Sequence, residues 1–243
     1  MNTNNQAGTK PETASEPVNS KYRLISKVLS PAVRLWLRSQ VDFVANLEVK
    51  ISGSDRQILT GYLPRVSVSA IHAVYQGLHL SQIQLVGENI RTNLGQVLRG
   101  QPLRLLEPVP VFCELLLQES NLNASFKSPL LANALTDLLR TLLPSYSVHR
   151  HRWHQININN GQLIISATLA ADTSNPMPVT IRTGLQLASC HELVLQPQIQ
   201  TPAGALVVNL DSFKLDLGAE VALEELTLSS GQMLCRGRIN VIP

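Results

Sequence analysis

The stretch Ser128 to Leu143, SPLLANALTDLLRTLL, decides how the rest of the chain is read. At about 100° per residue, Leu131, Ala134, Leu135, Leu138, Leu139, Leu142 and Leu143 fill an arc of roughly 180°, opposite Asn133, Thr136, Asp137, Arg140 and Thr141. That pattern predicts an amphipathic helix with a broad apolar face. Ser128 is placed to accept a bond from a free N–H of the first turn, Pro129 suits the first helical position, and Pro144 cannot continue the helix. The flanking chain mostly alternates with period two, so one leucine-lined helix stands against many strands. Two readings are open: the helix plugs a curved sheet, or helix and sheet together leave an apolar space for a ligand.

Outward from that helix, the strands come in runs separated by turn residues. Val66-Ser67-Val68-Ser69-Ala70 alternates cleanly, and Gln76-Gly77 reads as a tight turn into Leu78-His79-Leu80. After Leu80 the phase slips, since the next apolar residues are Ile83 and Leu85; such a slip predicts a bulge that bends the strand. The same spacing recurs at Val208, Leu210, Phe213 and Leu215 and at Val221, Leu223, Leu226 and Leu228. Gly95 to Pro110 is a loop-rich crossing, and Asn159-Asn160-Gly161 is a hairpin signal between Gln155–Ile158 and Leu163–Ile165. Asp172 to Pro176 is another turn, and strands follow at 179–187, 192–199, 206–217, 221–228 and 233–241. The expected fold is α+β and mainly antiparallel, about a dozen strands and two helices, with a strongly curved sheet wrapped around one long amphipathic helix. A Ser-Pro helix followed by long strands occurs twice, which suggests one domain over 21–243 with two weakly similar halves, 28–120 and 128–241.

Near the N-terminus, Lys21, Arg23, Lys27, Arg34 and Arg38 fall between Lys21 and Val41 with no acidic residue among them. Ser30-Pro31 predicts the start of a short helix through about Gln40, with Trp36 between Leu35 and Leu37. A basic helix with a Trp either lies on an anionic membrane surface or packs on its own domain. Residues 1–20 are polar and without an apolar signal core, so a disordered tail and no signal peptide are expected, and no apolar run is long enough to span a bilayer.

Composition narrows the function classes. Of 243 residues 44% are apolar but only 4% aromatic, and the formal net charge is +3. Few rings means few base-stacking platforms, and the charge is mild for a nucleic-acid binder, so nucleic acid is not expected as a partner. Cys113, Cys190 and Cys235 lie in apolar, strand-like runs without CxxC spacing and read as buried, reduced thiols. His149, His151 and His154 invite a metal reading, yet no carboxylate or Cys completes the set and Arg150 and Arg152 repel a cation; with Trp153 the segment reads as a patch for anionic headgroups. There is no Gly-x-Ser-x-Gly elbow, and Gly95 to Gly100 is followed by Gln101 where a phosphate loop needs Lys. No enzyme activity, metal or cofactor is expected.

The runs VLSPAVRLWLRSQV (28–41), ILTGYLPRVSVSAIHAVYQGLHLSQIQLVGENI (58–90) and LLLQESNLNASFKSPLLANALTDLL (115–139) resemble the LmeA-like phospholipid-binding family, in its cyanobacterial-type members. Val74-Tyr75-Gln76-Gly77-Leu78 and Glu119-Ser120-Asn121-Leu122-Asn123 carry most of the likeness. The resemblance implies a fold like the tubular lipid-binding domains, with an apolar groove for acyl chains, and a location in the cytoplasm or on the cytoplasmic face of a membrane. On this reading Leu131, Leu135, Leu138 and Leu142, with Leu78, Leu80, Ile83 and Leu85, line the groove. Lys27, Arg34, Trp36 and Arg38, with Arg150, Arg152 and Trp153, face the membrane. The competing classes are a membrane-associated assembly module without ligand and an enzyme acting on lipids or glycans.

Overall fold

The structure is a computed structural model that describes residues 24–97, 99–143, 151–170, 176–201, 206–209 and 213–243. The N-terminal tail, His149, Arg150 and the turn at Asp172 lie outside them. In chain order the first half holds α1 (Leu24–Ser39), β1 (Phe43–Ser52), α2 (Asp55–Leu59), β2 (Tyr62–Tyr75), β3 (Leu78–Arg91), α3 (Leu94–Val97), β4 (Val109–Gln118), α4 (Glu119–Ala124) and α5 (Pro129–Leu142). The second holds β5 (His151–Asn159), β6 (Gln162–Ala170), β7 (Pro176–Ser189), β8 (Glu192–Leu195), β9 (Gln198–Gln200), β10 (Leu206–Asn209), β11 (Phe213–Asp216), β12 (Val221–Ser229) and β13 (Gln232–Val241). Every strand pair among the described residues is antiparallel. A six-stranded sheet runs β1-β2-β3-β4-β13-β12; a seven-stranded sheet runs β10-β9-β7-β6-β5, with β8 on β7 and β11 on β8. The C-terminal hairpin thus completes the sheet begun by the N-terminal strands, and no barrel closes among the described residues.

The turn chemistry works as the sequence indicates. Tyr75 pairs with Leu78 across Gln76 and Gly77, whose φ values are 48° and 73°, the left-handed pair that a two-residue hairpin requires. Asn159 pairs with Gln162, and Gly161 has φ 75°.

The helices depart from expectation. Two were foreseen, whereas the described residues hold five, and the basic N-terminal helix is the longest, at 16 residues against 14 for α5. It begins at Leu24 and carries Pro31 inside it. Burial of Leu29 and Val33 on either side of Pro31 offsets the backbone bond that the proline removes. Nor does Ser128 cap α5 as expected: its hydroxyl donates to the Gln76 carbonyl at 2.8 Å, tying the helix to the β2–β3 turn.

The three phase slips have three different causes. In β12 the register shifts between Leu223 and Glu225, a true bulge. At Val208 to Leu215 the expected single strand is two, β10 on β9 and β11 on β8. At Leu80 the pairs Ile71↔Gln82 and Ala73↔Leu80 keep one offset, so no residue is inserted. Instead Leu80 and Ser81 are both buried, and His72 on β2 takes φ 51°. Ser81 is satisfied there: it donates to Asn121 Oδ1 at 2.8 Å and accepts the Gln118 N–H at 2.9 Å.

α4 is a polar joint between the sheets. Asn123 accepts the Ile156 N–H and donates to the Ile156 carbonyl, both at 2.8 Å, and Glu119 accepts the Ile158 N–H at 2.8 Å. The main core fills the space it spans: Leu135, Leu138, Leu139 and Leu142 of α5 pack with Ala70, Leu80 and Leu117 of one sheet and Ile156, Ile165 and Ile181 of the other. A second core lies where α1 and α2 meet the far end of the six-stranded sheet, around Leu29, Val33, Ile58, Leu63, Val66, Ile90 and Val109.

Candidate functional site

The two cores are joined by one face of the six-stranded sheet. Residues paired across an antiparallel ladder point to the same side, so the register defines rungs that cross all six strands. One rung is Val49, Val68, Leu85, Cys113, Gly237 and Leu223. The rung on one side of it is Ile51, Val66, Gly87, Val111, Ile239 and Val221, and on the other Leu47, Ala70, Ile83, Leu115, Cys235 and Leu226. None of these 18 positions is polar. The opposite face carries the charge: Glu48, Ser69, Gln84, Glu114, Arg236 and Glu225 form a rung in which Arg236 bridges Glu114 at 2.7 Å and Glu225 at 2.8 Å. Hydrogen bonding from Arg236 holds the Glu225 carboxyl below its usual range.

The thiols obey the apolar face. Burial, and then the nearby Cys113, push the Cys235 thiol up to about 11; burial, and then Glu114, raise Cys113. Both therefore stay neutral at physiological pH, and the sheet face carries no charge. Cys190, expected to be buried, is instead exposed in the turn between β7 and β8, where its carbonyl accepts the Leu223 N–H of β12 at 2.7 Å.

At the α1 end this face is not filled. A cavity of about 180 Å³ lies between it and the helix, roofed by Val33, Trp36 and Leu37 and floored by Val66, Val68, Leu85 and Val111, with Leu103 and Leu105 of the crossing segment at its end. Gly87 deepens the floor: a Cβ there would stand 3.0 Å from Ile90 Cδ1 and 3.5 Å from Val111 Cγ2. Thr92 is the polar residue on the wall, and its hydroxyl is turned to the Gly61 carbonyl at 3.2 Å. A second, more open space of about 400 Å³ is lined by Leu29, Leu35, Ser39, Val97 and Pro102; Trp36 and Leu103 line both.

The expected groove residues divide. Leu135, Leu138, Leu142 and Leu80 are buried in the main core, with Leu131, Leu78 and Ile83 packed half-buried against it. Leu85 is the one of the eight that lines the cavity. Among the expected docking residues, Arg34, Arg38 and Arg152 are exposed, while Trp36 turns into the cavity wall. Trp153 packs against the main core, 5.2 Å from the His151 ring and with its indole N–H buried without a partner. Nothing is described of the Lys27 side chain or of Arg150. The described residues hold no group of three metal-ligating side chains, and no helix among them is long and apolar enough to cross a membrane.

Leu103 and Leu105 escaped the sequence reading because prolines and glycines surround them. The signal was present as apolar residues at odd positions, Leu103, Leu105 and Val109, interrupted by Glu107, inside a segment read as loop ahead of Val111. Chemically the cavity wall offers dispersion and dehydration and almost no polar surface, so what it can hold is an apolar group. A family model described as LmeA-like phospholipid-binding matches residues 21–238. No curated protein and no solved structure matches the chain.

Proposed function

Since this chain belongs to the LmeA-like phospholipid-binding family, we propose that it binds a phospholipid or glycolipid through an acyl chain laid on the six-stranded face and inserted beneath α1. A lipid-binding role in general follows from the family; the observation that supports this particular site is the three apolar rungs that run into the α1 cavity. We read the molecule as one domain in which the six-stranded sheet and α1 hold the acyl chain, and as non-enzymatic.

Magnitudes suggest how it works. Filling an empty apolar cavity is worth about 24 cal/mol per Å³, hence about 4 kcal/mol here, which alone corresponds to millimolar affinity. One acyl chain of ~16 carbons gains about 12 kcal/mol from a bilayer. The inner cavity replaces about a third of that. A lipid held there keeps the rest of its hydrocarbon in the membrane, which favours a peripheral protein at the bilayer surface over a carrier that takes the whole lipid into water.

Leu85→Phe tests the site, because added volume in a cavity is tolerated where added volume in a packed core is not. Native mass spectrometry is expected to show lipid adducts on the unaltered protein and their loss from Leu85→Phe, with the melting temperature kept or raised. A folded, unaltered protein that neither carries lipid nor takes it up from added vesicles defeats the proposal.

A further inference from the structure

The chain segments that line the cavity also carry side chains that the interior does not use. Leu35, Ile242 and Leu106, at 72%, 62% and 61% exposure, are the most exposed large apolar side chains among the described residues. All three belong to this end of the molecule: Leu35 lines the outer space, Leu106 follows the cavity residue Leu105, and Ile242 follows the cavity residue Val241. Singly exposed apolar side chains need no explanation, but three large ones on segments at one end of the molecule do.

Arginines are interleaved with them. Arg34 stands between Val33 and Leu35, Arg38 follows Leu37, Arg104 stands between Leu103 and Leu105, and Arg99 precedes the same crossing segment; all four are exposed. Among the described residues none of the four pairs with a carboxylate, nor do Arg56, Arg152 and Arg182, whereas Arg65, Arg91, Arg140, Arg236 and Arg238 do. The acid beside Leu106, Glu107, is matched by Arg91 at 3.3 Å. Among the described residues, this end or rim of the molecule therefore combines apolar tips with positive charge that no carboxylate pairs.

We infer that this rim is the face by which the protein seats on a bilayer bearing anionic headgroups: Leu35, Leu106 and Ile242 enter the interface, and Arg34, Arg38, Arg99 and Arg104 meet the phosphates. Apolar tips set among basic residues match the interface in both of its layers, hydrocarbon below and negative charge above. Seating here puts the cavity mouth against the acyl region, so a chain passes from bilayer to protein without crossing water. The inference deepens the acyl-site reading and rests on it for that last step alone, since the rim's charge and exposure stand without a ligand.

Two readouts on the full chain separate the two ideas. Flotation with vesicles of phosphatidylcholine alone or with added phosphatidylglycerol reads the rim; binding of a fluorescent fatty acid from solution reads the cavity. The unaltered protein is expected to float with the anionic vesicles and to release them as salt rises. Arg34→Gln/Arg38→Gln/Arg104→Gln should weaken vesicle binding on the order of 100-fold, about fivefold per charge, and Leu106→Ser/Ile242→Ser should weaken it on neutral and anionic vesicles alike, while both variants bind the fatty acid normally. Equal binding of the unaltered protein to both vesicle types, or an arginine triple variant that floats undiminished, overturns the inference. A protein that seats on anionic vesicles in this rim-dependent way yet binds no fatty acid keeps the docking face and loses the acyl site.

Discussion

α5 and α1 carry the same sequence device, a Ser-Pro pair beside leucines, at the start of α5 and inside α1, and meet different surroundings. On α5, Leu139 and Leu142 are 0% and 1% exposed, because side chains from two sheets close on the helix from both sides. On α1, Leu29 and Val33 are buried, but Trp36 and Leu37 stay half-buried, because α1 rests on one sheet whose floor there is Val66, Val68, Leu85, Val111 and Gly87. A helix between two layers is packed to interior density; a helix on one layer leaves a gap wherever the layer beneath is short of volume. Periodicity reports which side of a helix turns inward and nothing about whether the inside is full.

The largest effect expected from that contrast is at α5. Leu135→Gln and Leu138→Gln strand an amide among methyl groups and should each cost about 2–5 kcal/mol, measured by denaturant unfolding. Either variant folding with near-normal stability would mean that the main core holds a space like that under α1. At α1 the loss should be smaller. Trp36→Ala removes a half-buried ring from a wall that is already loose, at about 2 kcal/mol, and by joining the two spaces it should shift bound lipid toward longer or bulkier chains in native mass spectra.

The smallest effect lies on the face between the two. The Cys235 thiol is raised to about 11 from 9.0, so its contribution to stability is complete below pH 9 and is lost as pH rises toward 11, where the unfolded chain ionises and the folded one does not yet. Stability curves from pH 8 to 11 should fall more steeply for the unaltered protein than for Cys235→Ala, by on the order of 1–2 kcal/mol at the upper end. Parallel curves would mean that the Cys235 side of the sheet face is wetter than its surroundings indicate.

What the sequence determined by itself is the set of local choices. The period of SPLLANALTDLLRTLL names Leu135, Leu138, Leu139 and Leu142 as the inward residues of α5, although Ala134 of the same arc is exposed; Gln76-Gly77 and Asn159-Asn160-Gly161 place two hairpins; and Val66-Ser67-Val68-Ser69-Ala70 already separates an apolar face from a polar one. Each depends on the chemistry of neighbours within one turn of helix or one strand, and the family likeness over 21–238 carries the general function. The tertiary structure decided where the space lies. The rung Val49, Val68, Leu85, Cys113, Gly237, Leu223 draws on residues from both ends of the chain and exists once the register of six strands is set. The same is true of Ser81, whose burial breaks the alternation of β3 because Asn121 and Gln118 satisfy it. A cavity is the difference between the volume that α1 and the sheet enclose and the volume that their side chains fill. Neither quantity belongs to any one segment, so no periodicity reports it.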